Sequence, residues 1–95
     1  MLSIEEMSLL VTLKSYSNGC DKRTLVNSTL ANYIEDSTVD HRQMLVFVDN
    51  LIAGGRIFKA MNGELFLSKD GRATLVRQTF AMNKLLRTLS TLDPF

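Results

Sequence analysis

A single cysteine, Cys20, stands in the 95-residue chain. No intrachain disulfide can form, and no Cys-based zinc site can be assembled. Such usage fits a reducing compartment, and the cytoplasm is the expected location. Proline is almost missing too: Pro94 is the only one, beside five glycines, which argues against a disordered or loop-dominated chain. No window of about 18 apolar residues exists, and no basic stretch leads into an apolar run at the start. Neither a transmembrane helix nor a signal peptide is expected. The nucleotide-loop and zinc-protease patterns GxGxxG, GxxxxGK(S/T) and HExxH are absent as well, and no cofactor or metal is expected.

Net charge is also scarce, at +1 from eleven Lys and Arg against ten Asp and Glu. This weighs against nucleic-acid binding, whose modules usually carry a strong basic excess. The charges are segregated, however. From Arg56 to Arg87 seven basic residues face only Glu64 and Asp70, while the first 55 residues hold four basic and seven acidic ones. A polyanion responds to that local field and not to the sum.

A chain of this length buries only about two thirds of its unfolded surface and forms one domain, residues 1–95, around one core. Ser3-Ile4-Glu5-Glu6 reads as a capping box that opens a first helix. Ile4, Met7, Leu10, Val11 and Leu13 form its expected apolar face, and Ser17-Asn18-Gly19 its stop. Asp21 is the expected N-cap of a second helix through about Glu35, with Leu25 or Val26, Leu30, Tyr33 and Ile34 inward. Asp36-Ser37-Thr38 then favours a turn. A third helix is predicted from about Val39 to Ala53. Leu45, Val48, Leu51 and Ile52 face its core, with Met44 and Phe47 marginal, and Gly54-Gly55 ends it.

Beyond Gly55 the period drops from about 3.6 to 2. Arg56–Met61 and Glu64–Ser68 flank Asn62-Gly63, the strongest short-range hairpin signal because both turn residues accept positive φ. Asp70-Gly71 is expected to close the second strand, and a helix to run from Arg72 to about Thr91. The expected class is mainly α with a β-hairpin (α+β), in the order helix-helix-helix-hairpin-helix. Three short helices followed directly by a hairpin is the arrangement of a winged helix-turn-helix.

The stretch from Leu51 through Ala53-Gly54-Gly55-Arg56 to Ile57, then the hairpin, then Leu67-Ser68-Lys69-Asp70-Gly71, resembles bacterial, archaeal and phage winged-helix regulators. Those commonly read as leucine, a small glycine turn, isoleucine, a wing, and a leucine-threonine-x-x-glycine lead to the last helix. Here Ser68 takes the threonine position. The long terminal helix is similar to that of PadR-like small dimeric regulators. The resemblance implies a DNA-binding transcriptional regulator with no enzymatic activity.

A recognition helix enters the major groove by its N-terminal half. With the expected stripe buried, Thr38, His41, Arg42 and Gln43 point outward. Arg42 can grip a guanine bidentately and Gln43 an adenine; the alternative is the wet face of an ordinary amphipathic helix. Lys22 and Arg23, at a helix N-terminus, are the expected phosphate anchors, joined by Lys59 and Lys69 on a wing with Arg56 around the Asn62-Gly63 tip. His41, the only histidine, has no serine-carboxylate set spaced for catalysis. Cys20 beside Lys22 and Arg23 reads either as a redox thiol or as a buried inert one.

The terminal helix carries more apolar residues than one domain can cover. Leu75, Phe80, Met82, Leu86 and Leu89 are the expected dimer interface, within a helix over 72–91. A homodimer on a pseudo-palindromic site doubles the contacts to double-stranded DNA. No membrane contact is expected, and the sequence assigns no small-molecule effector. The rival reading is a winged-helix protein-interaction module, favoured by the near-neutral charge and by apolar Val46 and Phe47 near the DNA-facing side.

Overall fold

The computed structural model describes residues 2–33 and 39–79. Helix α1 spans Ile4–Lys14, α2 Lys22–Asn32 and α3 His41–Ala53. A hairpin of β1, Ile57–Lys59, and β2, Leu65–Leu67, follows. The fourth helix, α4, occupies 69–79 of the described residues. The class is therefore mainly helical with one antiparallel hairpin, in the order expected.

Each helix start is written in a cap. Ser3 Oγ accepts from the Glu6 N–H at 3.2 Å, and Glu6 Oε1 accepts in return from the Ser3 N–H. Asp21 Oδ1 accepts from the Thr24 N–H at 3.1 Å. A second full capping box, not anticipated, opens α3: Asp40 Oδ1 takes the Gln43 N–H at 2.8 Å and Gln43 Oε1 takes the Asp40 N–H at 3.1 Å. Two orphan donors are thereby satisfied reciprocally, so α3 begins at His41 and not at Val39.

The apolar faces of α1 and α3 are rotated from those expected. In α1, Leu9, Leu10 and Leu13 are buried while Ile4 is 76% exposed. In α3 the core residues are Met44, Val48 and Leu51, with Leu45, Phe47 and Ile52 only partly buried. Both helices carry apolar side chains on several azimuths, at 9–11 and at 44–48, so spacing leaves the phase open. Packing decides it, because α1 must meet α2, α3 and β2 at once, and α3 must meet α2 and β1. Thr12 tolerates its buried place in α1 because its hydroxyl donates to the Ser8 carbonyl at 2.8 Å. Helix α2 ends at Asn32, short of Glu35, with Tyr33 already half exposed.

Helix α3 stops in a Schellman motif. Gly55 holds φ at +79°, its N–H bonds the Ile52 carbonyl, and the Arg56 N–H reaches the Leu51 carbonyl at 2.9 Å. The hairpin pairs Ile57 with Leu67, Phe58 with Phe66 and Lys59 with Leu65. Its loop is not the two-residue turn expected from Asn62-Gly63. Ala60 donates to the Glu64 carbonyl and Gly63 to the Ala60 carbonyl, with Gly63 at φ +88°. The loop is Met61-Asn62-Gly63, a three-residue connection that needs its left-handed residue only at the end.

Cys20 adds a one-residue bridge to the far edge of β2, exchanging both backbone hydrogen bonds with Leu65 at 3.2 and 2.8 Å. Gly19 permits this approach: at φ +81°, an added Cβ would stand 2.7 Å from the Phe66 ring. Helix α4 starts at residue 69, three residues before the expected Arg72. Ser68 is its cap, since its Oγ accepts from the Gly71 N–H at 3.0 Å while its hydroxyl donates to the Gly55 carbonyl at 2.6 Å. Gly71 thus lies inside the first turn of α4 and does not terminate β2.

Candidate nucleic-acid interface

The cations expected to meet phosphate come from chain segments far apart, and the fold gathers three of them. Lys22 and Arg23 open α2, and Lys59 ends β1; all three line one cleft of about 390 Å³ with Ile52 of α3 and the loop residues Asn62 and Gly63. The inward side of the hairpin explains the position of Lys59. It shares a strand face with buried Ile57 and Leu65, and at the open end of that face it projects into the cleft.

Carboxylates temper this cleft. Asp21 and Glu64 line it. Lys22 Nζ is paired with Asp49 Oδ1 of α3 at 2.5 Å, both side chains being well exposed. An exposed pair of this kind contributes about 0–1 kcal/mol, so it directs Lys22 without fixing it. The Asp21 carboxyl is held below the usual carboxylate range by hydrogen bonding from the Thr24 side chain and backbone N–H, aided by Arg23.

His41, Arg42 and Gln43 are all exposed on the first turn of α3. They lie at the opposite end of that helix from Ile52, roughly 14–16 Å away at 1.5 Å per residue. Gln43 Oε1 already accepts from the Asp40 backbone, which leaves its amide nitrogen as the freer group. Val46, 53% exposed, and Asn50 continue outward along the helix. Thr38 lies outside the described residues.

Lys69 does not join the cluster. It occupies the first position of α4, beyond the Ile57–Leu67 pair, at the hairpin end away from Asn62-Gly63. Arg56 is likewise at that base and half buried, with its Nε enclosed and without a hydrogen-bond partner among the described residues. The expected ring of cations around the tip therefore reduces to Lys59, with Lys22 and Arg23 supplied by α2.

Cys20 is 6% exposed, and burial, then Asp21 and Glu64, push its thiol up to about 11. The nearby cations do not lower it, so the inert reading is the one that holds. Leu75, expected at a dimer seam, is instead 6% exposed and part of the chain's own core. Its neighbour Val76 is 69% exposed. A groove of about 620 Å³ beside it is lined mainly by Val11, Leu67, Leu75 and Val76. Phe80, Met82, Leu86 and Leu89 lie outside the described residues.

Two features escaped the sequence reading. Met61 is fully exposed at the hairpin tip, and Phe58 is 58% exposed on its outer face, opposite Phe66. A period-2 pattern that places Phe58 out and Ile57 in was available as the signal. Among the described residues no helix is long and apolar enough to cross a membrane. Comparison of the chain with known protein families, with characterised proteins and with solved structures found no match.

Proposed function

We propose that the chain is a winged helix-turn-helix domain that binds double-stranded DNA in the cytoplasm as a homodimer and regulates transcription without covalent chemistry. The observation that carries this reading is the gathering of Lys22, Arg23 and Lys59 at one cleft between α2, α3 and the hairpin. On this reading α3 enters the major groove by its first turn, where Arg42 and His41 stand exposed for base edges. The cleft cations grip the flanking phosphates, and Lys69 adds a contact from the hairpin base. Exposed Val76 and the apolar groove beside α4 support pairing of two copies through the last helix.

The test is fluorescence-anisotropy binding to random duplex DNA across a salt series, with molar mass from light scattering in parallel. The expected outcome is micromolar binding by a species of twice the chain mass, with a log–log salt slope of roughly −4 to −5 for four to six neutralised phosphates. Absence of binding at about 50 mM salt, where the electrostatic contribution is strongest, removes the proposal.

A second reading has its own support. Val46 on α3 and Phe58 on the hairpin are both more than half exposed, which suits a protein partner better than a phosphate backbone. That module would keep the fold and bind no duplex in the same titration.

A further inference from the structure

We propose that two copies of the chain meet through α1, the exposed Ile4 of each copy seating in the apolar groove between α1, β2 and α4 of the other. The inference deepens the homodimer reading above, on which it rests, by naming the surface that pairs. The groove, of about 620 Å³, is lined by Val11 of α1, Leu67 of β2 and Leu75 and Val76 of α4, with Lys14 and Arg72. Its apolar wall is thus built by three elements, and Val11 and Val76 remain 37% and 69% exposed. No carboxylate among the described residues lines it. The acids of the flanking elements lie elsewhere: Glu5 and Glu6 in the first turn of α1, at the end away from Lys14, and Asp70 toward Gly55. Glu64 belongs to the cleft at the hairpin tip. The groove therefore suits an apolar side chain that has a carboxylate next to it.

The chain itself displays such a side chain. Among the large apolar residues exposed in the described part, Ile4 is the one followed directly by a carboxylate, Glu5. Val46 has Asp49 one turn on, but that carboxylate is already paired with Lys22. Ile4 is also held in place. The capping box of Ser3 and Glu6 fixes the start of α1, and the Leu2 N–H donates to Gln78 Oε1 of α4 at 3.4 Å. Little ordering therefore remains to be done on contact. A two-fold interface further requires one face to carry both the knob and the groove. Ile4 and Val11 meet that condition: seven residues, or two turns and about 10 Å, separate them along one face of α1. Antiparallel α1 helices crossing near Ser8 set Ile4 of each copy beside Val11 of the other. Ser8 is small, and its hydroxyl already donates to the Ile4 carbonyl at 2.8 Å, so covering it strands no donor. The same pairing brings the acidic first turn of each α1 to the Lys14 and Arg72 of the other copy.

The test is sedimentation velocity over a concentration series, which reports the dimer dissociation constant. The wild-type chain is expected to pair at micromolar concentration. Ile4→Ala should weaken pairing by about 30–100-fold, because a two-fold interface counts each lost contact twice. Glu5→Arg and Arg72→Glu should each weaken it by about tenfold or more, since like charges then face one another at both contacts. Mixed in equal amounts, these two variants should recover the wild-type constant within about threefold, because every such contact in the mixed dimer joins opposite charges. An effect confined to the fold of one chain would not be rescued by mixing. All three variants should keep the wild-type helical circular dichroism: Ile4 and Arg72 are exposed, and Glu6, not Glu5, closes the capping box. A dimer that Ile4→Ala leaves at full strength, or a mixture no tighter than its components, overturns this interface and leaves the homodimer reading standing on other contacts. A wild-type chain that stays monomeric at every concentration overturns both.

Discussion

Gly71 in the first turn of α4 lies directly against the backbone carbonyl of Arg56, so closely that a Cβ on Gly71 would collide with that oxygen and stand 2.8 Å from Leu67 Cδ1. The same turn is capped by Ser68, whose hydroxyl also ties the end of α3 at Gly55. One serine and one glycine therefore join α3, the hairpin base and α4. Gly71→Ala removes the space. In an exposed helix the change would gain about 1 kcal/mol, but here forced overpacking costs about 1–3 kcal/mol. A net loss of stability is expected in denaturant unfolding. A stabilised variant would show that α4 does not pack this closely.

The faces of α1 make a second prediction. Leu9 is fully buried and Ile4 is 76% exposed, against the expectation from spacing. Leu9→Ala should cost about 2–5 kcal/mol. Ile4→Ala should stay within about 0.5 kcal/mol in the dissociated chain, as surface substitutions do. Similar costs at the two positions, read from urea midpoints, would restore the expected phase.

These particulars divide what sequence could and could not give away. Caps were legible at Ser3 and Asp21 because their signal is local chemistry, one side chain reaching a backbone N–H three residues on. The change of period at Gly55 was legible for the same reason, as the Schellman hydrogen bonds lie within six residues. Helix phase was not, because apolar residues at 44–48 satisfy several faces and only contact with distant elements chooses Met44 over Leu45. The candidate interface divides likewise. Exposure of Arg42 and His41 follows from one helix, whereas the meeting of Lys59 with Lys22 and Arg23 depends on hairpin placement against α2. The pairing of Lys22 with Asp49, 27 residues apart, had no sequence signal at all.

Cys20 supplies a test by reactivity. With its thiol buried and raised to about 11 from 9.0, it should resist Ellman's reagent at pH 8 until the chain unfolds. The sign for stability follows from linkage. The neutral thiol is favoured in the folded state, so its contribution is complete below pH 9 and is lost as pH rises through about 11. Cys20→Ser should flatten the alkaline limb of the stability profile. Rapid labelling of the native protein at pH 8 would contradict the burial.

Asp21 predicts the acid side. Its lowered carboxyl means that the charged form is favoured on folding. That contribution is present above the ordinary carboxylate range and is lost as pH falls through its folded value. Asp21→Ala should lower the melting temperature at pH 7, and by less at pH 3. An equal loss at both values would mean that packing, and not the capping charge, is what the substitution removes.

The pairing of Lys22 with Asp49 sets two proposals against each other. If Lys22 reaches phosphate, it must leave a carboxylate held at 2.5 Å, and Asp49 then acts as a counter-charge that weakens DNA binding. Asp49→Asn removes that competitor and frees Lys22. Duplex affinity should rise about three- to tenfold at low salt, and the salt slope should steepen by about one as Lys22 engages a phosphate fully. Lys22→Gln should do the reverse, and the double variant should behave like Lys22→Gln alone, since Asp49 acts through Lys22. Folding should change little in any of the three, because an exposed pair contributes at most about 1 kcal/mol. Additive effects in the double variant would mean that Asp49 meets the DNA independently of Lys22. Unchanged affinity in all three would place the cleft outside the contact surface and favour the protein-partner reading on Val46 and Phe58.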